Sequence, residues 1–167
     1  MSVPPGNRGE SSMQFVESAR KIEYRAMQVC RRWPKSWFHL ITKRTVNLAS
    51  EVYEHAQKAN SYYPIMTEKE REDRILELDR ALAALYPFSQ KIELAYSLFP
   101  LCGEKDKTSE QELADKSNRL LEEFMNLCLD EEKAIEGNLS WTRSAVLGGR
   151  PKQNDKKAPP KEPTIKK

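Results

Sequence analysis

The sequence predicts an all-α protein that folds as an antiparallel four-helix bundle with disordered N- and C-terminal tails. Four stretches carry an apolar residue at every third or fourth position, which is the spacing of one helix face. Two of these stretches open with a Thr or Ser followed three residues later by Glu, the capping-box pattern of a helix start. No segment predicts a strand, and four helices with short or medium connections favour a bundle.

The first two helices are predicted to meet at a turn around Pro34. Helix 1 begins near Ser12 and ends before this proline, because proline disfavours the α conformation in the residue that precedes it. Helix 2 begins near Ser36 and ends at about Asn60. The helix 1 stripe contains Phe15, Ala19, Ile22, Ala26, Val29 and Trp33, and the helix 2 stripe contains Phe38, Ile41, Thr45, Leu48 and Val52.

The last two helices are predicted from their capping boxes, Thr67–Glu70 and Ser109–Glu112. Pro87 lies inside the third stripe, whose register continues beyond it, so a kinked helix is expected. Gly137 is expected to close helix 4. The stripes contain Ile75, Leu78, Leu82, Leu85, Ser89, Ile92, Tyr96 and Phe99 in helix 3, and Leu113, Ser117, Leu120, Leu121, Phe124, Leu127, Cys128, Ala134 and Ile135 in helix 4.

Composition divides the chain into three parts. Residues 1–11 are predicted to be a flexible leader, 12–147 the bundle, and 148–167 a basic Lys/Pro-rich disordered tail, because the two ends have too few apolar residues to build a core. The net charge is +3, but basic residues concentrate between Arg20 and Arg44, a segment that contains eight basic residues and a single acidic one. This segregation favours a cationic face for phosphates or an acidic partner.

The cysteines and the apolar runs indicate a cytoplasmic protein. Cys30, Cys102 and Cys128 are odd in number and have no CxxC spacing, so we expect reduced thiols. The N-terminal residues lack the apolar segment of a signal peptide, and the longest apolar run is too short for a membrane span. We expect no membrane association.

Catalytic and metal-binding residues are not predicted. His39 and His55 are the only histidines, and neither has ligands or a nucleophile at the required spacing. Glu51 is one turn from His55 and is a candidate exposed partner for it. The acidic pair Glu131-Glu132 is expected on a solvated face, since no Glu-x-x-His motif accompanies it. We expect no enzymatic activity, no cofactor and no metal.

The cations around the first turn form the candidate nucleic-acid-binding site. Their closeness would concentrate positive potential where a phosphate backbone binds, and ordinary solvation with salt bridges to the acidic helices is the alternative of equal weight. Trp37, Tyr62 and Tyr63 are the candidate partner interface, because exposed aromatic residues often mark contacts between subunits. Trp37 has two further explanations, stacking on a base or covering Pro34. The six cations are Arg25, Arg31, Arg32, Lys35, Lys43 and Arg44.

The order of features between Arg25 and Trp141 resembles the four-helix bundle family of accessory variability determinant (Avd) proteins, which serve diversity-generating retroelements, and of ribosomal RNA intervening-sequence proteins. The resemblance is carried by the junction Arg32-Trp33-Pro34-Lys35-Ser36, by Glu54-His55-Ala56 at the end of a long second helix, by a leucine-rich third helix, and by a fourth helix that leads to Trp141.

This resemblance implies a non-enzymatic protein that assembles as a ring of five bundles. It further implies binding to a reverse transcriptase and its structured RNA through a basic surface, with Arg32, Lys35 and Ser36 as the matching residues. The acidic helices 3 and 4 and Pro87 depart from the family pattern. The alternative is a self-assembling scaffold or interaction protein that binds no nucleic acid.

Overall fold

The computed structural model describes residues 13–98 and 110–145, with the backbone alone for 110–114. This part of the chain contains four α-helices and no strand, which confirms the predicted all-α fold for it. The predicted leader and the tail beyond residue 147 lie outside the described residues. The helices are α1 (Gln14–Cys30), α2 (Lys43–Ser61), α3 (Glu68–Leu98) and α4 (Glu110–Ser144).

Each helix packs against the next along the chain, and α4 also packs against α1. Hydrogen bonds between neighbouring helices join their residues in opposite order, as antiparallel packing requires. The pairs are Glu23–Ser50 and Met13–Asn60 between α1 and α2, His55–Glu77 and Ala59–Arg74 between α2 and α3, and Arg74–Asn138 and Tyr96–Ser117 between α3 and α4.

The apolar faces of all four helices meet in one core, as the stripes predict. In α1 the predicted face is buried apart from Val29, which is half-buried, and Val16 and Cys30 join it. Buried aliphatic and aromatic side chains of this kind supply most of the favourable free energy of folding. The largest fully buried apolar side chains are Phe15, Ile22, Leu48, Val52, Leu78, Leu85, Phe88, Ile92, Phe124 and Ile135.

The chain between α1 and α2 winds differently from the predicted regular helix. Lys35–Trp37 form a 3₁₀ turn and Phe38–Thr42 a π turn before α2 begins. A π turn has i→i+5 hydrogen bonds and turns less per residue than an α-helix, so every fourth residue points in nearly the same direction. Trp37, Ile41 and Thr45 therefore face the core. The prediction that Phe38 belongs to the core stripe is wrong, because its side chain is 51% exposed.

The capping box predicted for α3 is confirmed. The amide of Glu70 donates to Thr67 Oγ1 over 3.2 Å, and the amide of Thr67 donates to Glu70 Oε2 over 2.8 Å. The helix then continues through Pro87 to Leu98. Its buried face differs slightly from the predicted stripe: Ile75, Leu82 and Ser89 are only half-buried, and Ala81, Ala84 and Phe88 complete the core contact.

Helix α4 extends beyond its predicted end. It runs to Ser144, so Gly137 is an interior residue and the prediction that it closes the helix is wrong. A Cβ atom built on Gly137 has no heavy atom within 4 Å. The start at Glu110 agrees with the predicted capping box, whose side chains lie outside the described part. None of the helices described here is long and apolar enough to cross a membrane.

Candidate nucleic-acid interface

The turn between α1 and α2 is anchored from inside by two tryptophans. Trp33 and Trp37 are both buried, and their rings meet edge to face with centroids 6.0 Å apart. Backbone hydrogen bonds hold the turn as well, from the amide of Trp33 to Cys30 and from the amide of Trp37 to Pro34. The prediction that Trp37 is exposed is wrong, since only 9% of the residue is exposed. These contacts fix the conformation of the turn, which carries charged residues on its outside.

Four cations at this turn and at the first residue of α2 are exposed and form no ion pair with the described residues. We call these four residues the basic corner: Arg31, Arg32, Lys35 and Lys43. The other two predicted cations are paired with carboxylates. Arg25 contacts Glu123 of α4 at 2.8 Å, and Arg44 contacts Glu51 at 3.3 Å. The charge of the basic corner is therefore available to a partner, whereas that of Arg25 and Arg44 is partly neutralised.

An open groove lies beside the basic corner, between the end of α1 and the π turn. It has a volume of about 550 Å³. Met27, Trp33 and Phe38 give it an apolar surface, and of the described residues that line it none is Asp or Glu. Arg31, Lys35 and His39 also line it. We call it the corner groove.

The corner groove was not predicted from the sequence. The groove depends on the π turn, which the sequence pattern does not indicate. In a regular helix Phe38 would face inward, and little apolar surface would lie next to the cations. Cys30 also lines the groove, and the residue is almost fully buried. Burial raises the pKa of its thiol to about 12, so it is protonated at neutral pH and is a poor nucleophile.

The remaining predicted interface residues lie at the other end of the bundle. Tyr62 and Tyr63 lie at the end of α2, whereas the basic corner lies at its start, and the length of this 19-residue helix separates the two by roughly 27 Å. Tyr62 is half-buried, and the exposed Tyr63 ring packs 5.8 Å from Trp141. The structure therefore does not bring these tyrosines together with the cations.

A buried arginine joins the helices near Tyr63. Arg74 is 0% exposed and has no carboxylate partner among the described residues. Its guanidinium donates to the carbonyl of Ala59, to Asn138 Oδ1 and to Thr142 Oγ1 at 2.7, 2.9 and 3.0 Å. These acceptors lie in the last turns of α2 and α4, where the helix dipole favours a cation. Burial lowers the pKa of Arg74.

Three aromatic rings complete the surroundings of Arg74. Its guanidinium carbon lies 5.8 Å from the ring centroids of Phe15 and Trp141 and 6.0 Å from that of Tyr63, within the range of cation–π attraction. Phe15 belongs to α1, so this one side chain contacts residues of the other three helices. The sequence contains a signal for it, because Arg74 lies four residues before Leu78 on the α3 stripe.

Glu131 is the second buried charged residue that the sequence interpretation missed. The prediction of a solvated face is wrong for it, because the residue is 0% exposed and neither carboxylate oxygen has a hydrogen-bond partner in the described structure. Burial raises its pKa to about 8, so the carboxyl group is mainly neutral at pH 7. Its position seven residues after Phe124 and four before Ile135 is the signal in the sequence.

His55 pairs with a different residue from the one predicted. Its Nδ1 lies 2.6 Å from Glu77 Oε2, and Arg80 donates to Glu77 Oε1 over 2.6 Å. Glu51, the predicted partner, contacts Arg44 instead. Burial favours the neutral form of Glu77, but the hydrogen bonds and charges of His55 and Arg80 outweigh it and lower its pKa. The contact between His55 and Glu77 connects α2 to α3.

No protein-family model, curated protein or solved structure matches the chain.

Proposed function

We propose that this protein binds structured RNA through the basic corner, as a non-enzymatic accessory factor of a reverse transcriptase in a diversity-generating retroelement. One observation carries the RNA-binding part: four exposed cations lie at the anchored turn and at the start of α2 without an intramolecular counter-charge among the described residues. They are Arg31, Arg32, Lys35 and Lys43. The resemblance of the Arg32–Ser36 junction to Avd proteins supports the accessory role. A reverse-transcriptase gene beside a near-repeat pair in the genome would support it further.

The cations suit phosphates because they are exposed and already lack carboxylate partners in the described part of the chain. Binding then displaces only water and counterions, and the release of counterions supplies much of the affinity for a nucleic acid. The paired cations contribute less, since Arg25 and Arg44 have to leave Glu123 and Glu51 before they contact a phosphate. Acidic α3 and α4 surfaces repel phosphates and thereby confine the RNA to the corner.

The test replaces all four basic-corner residues by glutamine and measures the affinity for a structured RNA by fluorescence anisotropy. Removing four phosphate contacts is expected to raise the dissociation constant at least roughly tenfold at moderate salt. The control variant carries glutamine at four other exposed lysines that form no ion pair with described residues, so its net charge is the same. These control positions are Lys58, Lys69, Lys116 and Lys133.

The control separates a local site from the total charge of the molecule. If both variants bind RNA equally weakly, the RNA responds to overall charge and the basic corner is not its site. If the parent protein itself does not bind RNA, the proposed function is wrong.

The second candidate function is a self-assembling scaffold without RNA. It is favoured by large apolar side chains on the surface, including Tyr63, Met66 and Trp141, since apolar surface on a folded domain often belongs to an interface between proteins. A parent protein that forms a defined oligomer and does not bind RNA would support this candidate over the first.

A further inference from the structure

The corner groove combines two chemistries that a nucleotide also combines. Its apolar part includes the side chains of Met27 and Phe38, which are 47% and 51% exposed although they line a concave surface. Its charged part includes Arg31 and Lys35. An unpaired nucleotide offers a flat apolar base face and, next to it, one negative phosphate.

We propose that the corner groove binds the base of an unpaired RNA nucleotide, while the basic corner holds the neighbouring phosphates. This inference rests on the proposed function and adds to it which kind of RNA is recognised. Base faces are hidden by stacking inside a duplex, whereas loops and bulges present them to proteins. The protein therefore prefers RNA with unpaired nucleotides to a continuous duplex.

The aromatic residues of the π turn favour a base as the occupant. The Phe38 and His39 rings are both exposed, and they stand nearly perpendicular at 84° with centroids 5.0 Å apart. Both residues line the groove, and an aromatic ring and an imidazole are groups that stack on and hydrogen-bond with bases. The groove volume of about 550 Å³ lies within the range of about 300 to 1,000 Å³ that is common for small-molecule sites.

Charge complementarity identifies the same occupant. The described lining residues contain two permanent cations and no carboxylate, so an electrically neutral apolar group would leave the rim cations without a partner. A nucleotide chain supplies a phosphate at every residue and neutralises them.

The experiment compares the variants Phe38→Ala and Leu40→Ala in the full chain. Leu40 lies in the same π turn and is 74% exposed, but it does not line the groove, so its truncation is a matched control. Two RNA probes are used: a hairpin with an unpaired loop, and a blunt duplex of the same length. Affinities are measured by fluorescence anisotropy, and circular dichroism checks that the variants keep the helix content of the parent.

The proposal predicts that Phe38→Ala weakens binding of the loop RNA about tenfold, the usual effect of removing one stacking partner. Binding of the duplex, which relies on phosphates, changes less than about twofold. Leu40→Ala affects neither probe, and Phe38→Trp restores binding of the loop RNA because indole stacks on bases as well.

Three results would overturn the inference. Equal binding of both probes by the parent, with no effect of Phe38→Ala, removes the base site and leaves RNA binding by the basic corner intact. If an acidic peptide with one aromatic residue binds the parent more tightly than the loop RNA does, and binds Phe38→Ala only weakly, the occupant of the groove is a protein partner. A parent that does not bind either RNA contradicts this inference and the proposed function together.

Discussion

The carboxyl group of Glu131 is enclosed in the bundle, and both of its oxygens lack a hydrogen-bond donor among the described residues. Transfer of an unpaired charge into such surroundings is so unfavourable that the group takes up a proton instead. The pKa of about 8 expresses this preference for the neutral form. The residue therefore couples folding to pH within the range that proteins ordinarily meet.

The variant Glu131→Gln is expected to be more stable than the parent at high pH. In the unfolded chain the carboxyl ionises around its ordinary pKa of 4.5, whereas in the folded protein it keeps its proton until about pH 8. The unfolded state is thus favoured increasingly as the pH rises from 4.5 to 8, by on the order of a few kcal/mol at about 1.36 kcal/mol per pKa unit. Glutamine does not ionise, so this pH-dependent destabilisation disappears.

Thermal denaturation at pH 5 and pH 8.5 measures the effect. The melting temperature of Glu131→Gln should exceed that of the parent clearly at pH 8.5 and only slightly at pH 5. Glu122→Gln, at an exposed position of the same helix, is the control and should behave as the parent does at both values. A difference between Glu131→Gln and the parent that is independent of pH would contradict the assignment of a buried neutral acid.

Arg74 is expected to be the charged residue on which stability depends most. Lysine keeps the positive charge but lacks the planar guanidinium, with which Arg74 donates to Ala59, Asn138 and Thr142 at the same time. Leaving buried acceptors unpaired should lower the free energy of unfolding of Arg74→Lys by about 2 to 4 kcal/mol. Urea denaturation measures it, with Arg20→Lys as the control, since Arg20 is exposed and forms a surface ion pair with Glu17 worth below about 1 kcal/mol. Equal destabilisation of both variants would rule out the central role of Arg74.

At the scale of the helices, spacing and capping boxes predict where α1 and α3 lie, because local hydrogen bonds and one apolar face determine them. The α3 start is an example: the reciprocal bonds of Thr67 and Glu70 depend on neighbours in sequence only. The π turn is different, since its winding depends on how Trp37 and Ile41 fit against the rest of the core. Phe38 and the corner groove could therefore not be predicted without the packed bundle.

The wrong end assigned to α4 has a similar cause. Glycine after an apolar stripe commonly closes a helix, but here Leu139 and Thr142 continue the buried face and keep the chain helical. The burial of Arg74 and Glu131 was not predicted for a different reason. Their spacing fits the apolar stripes, but their charge made a buried position unexpected. The sequence predicted the cations of the basic corner as part of the candidate site. It did not predict that they form no ion pair with the described residues.

Gly137→Ala is expected to stabilise the bundle. The position is exposed and helical, and a Cβ atom there contacts nothing within 4 Å, so alanine fits without strain. It lowers the conformational entropy of the unfolded chain and should raise the free energy of unfolding by about 0.5 to 1 kcal/mol. Urea denaturation measures this increase, and Ser140→Ala, exposed in the same helix, shows how much any alanine contributes. A decrease in the stability of Gly137→Ala would mean that the chain is not helical at residue 137.

At the scale of the molecule, charge and apolar surface are unevenly distributed. The basic corner lies at one end of α2, and Tyr63, Trp141 and Met66 expose apolar surface towards the other end. The proposed RNA binding and the proposed self-assembly would therefore use separate surfaces and would not compete.

We expect a homo-oligomer larger than a dimer, for which exposed Tyr63, Met66 and Trp141 provide apolar surface. Light scattering coupled to size exclusion measures the mass at micromolar concentration, at low and at high salt, because an apolar interface persists when charges are screened. A mass of 19.3 kDa, that of a single chain, in both conditions would contradict the expectation.

The salt dependence of RNA affinity tests the central claim most directly. The logarithm of the association constant is plotted against the logarithm of the salt concentration for the parent, for the variant with glutamine at Arg31, Arg32, Lys35 and Lys43, and for the four-lysine control. If the basic corner binds phosphates, its variant has a slope that is less steep by roughly 0.7 to 0.9 for each phosphate that the variant no longer neutralises, and the control keeps the slope of the parent. Identical slopes and affinities in the parent and the basic-corner variant would contradict the claim that RNA binds at this corner.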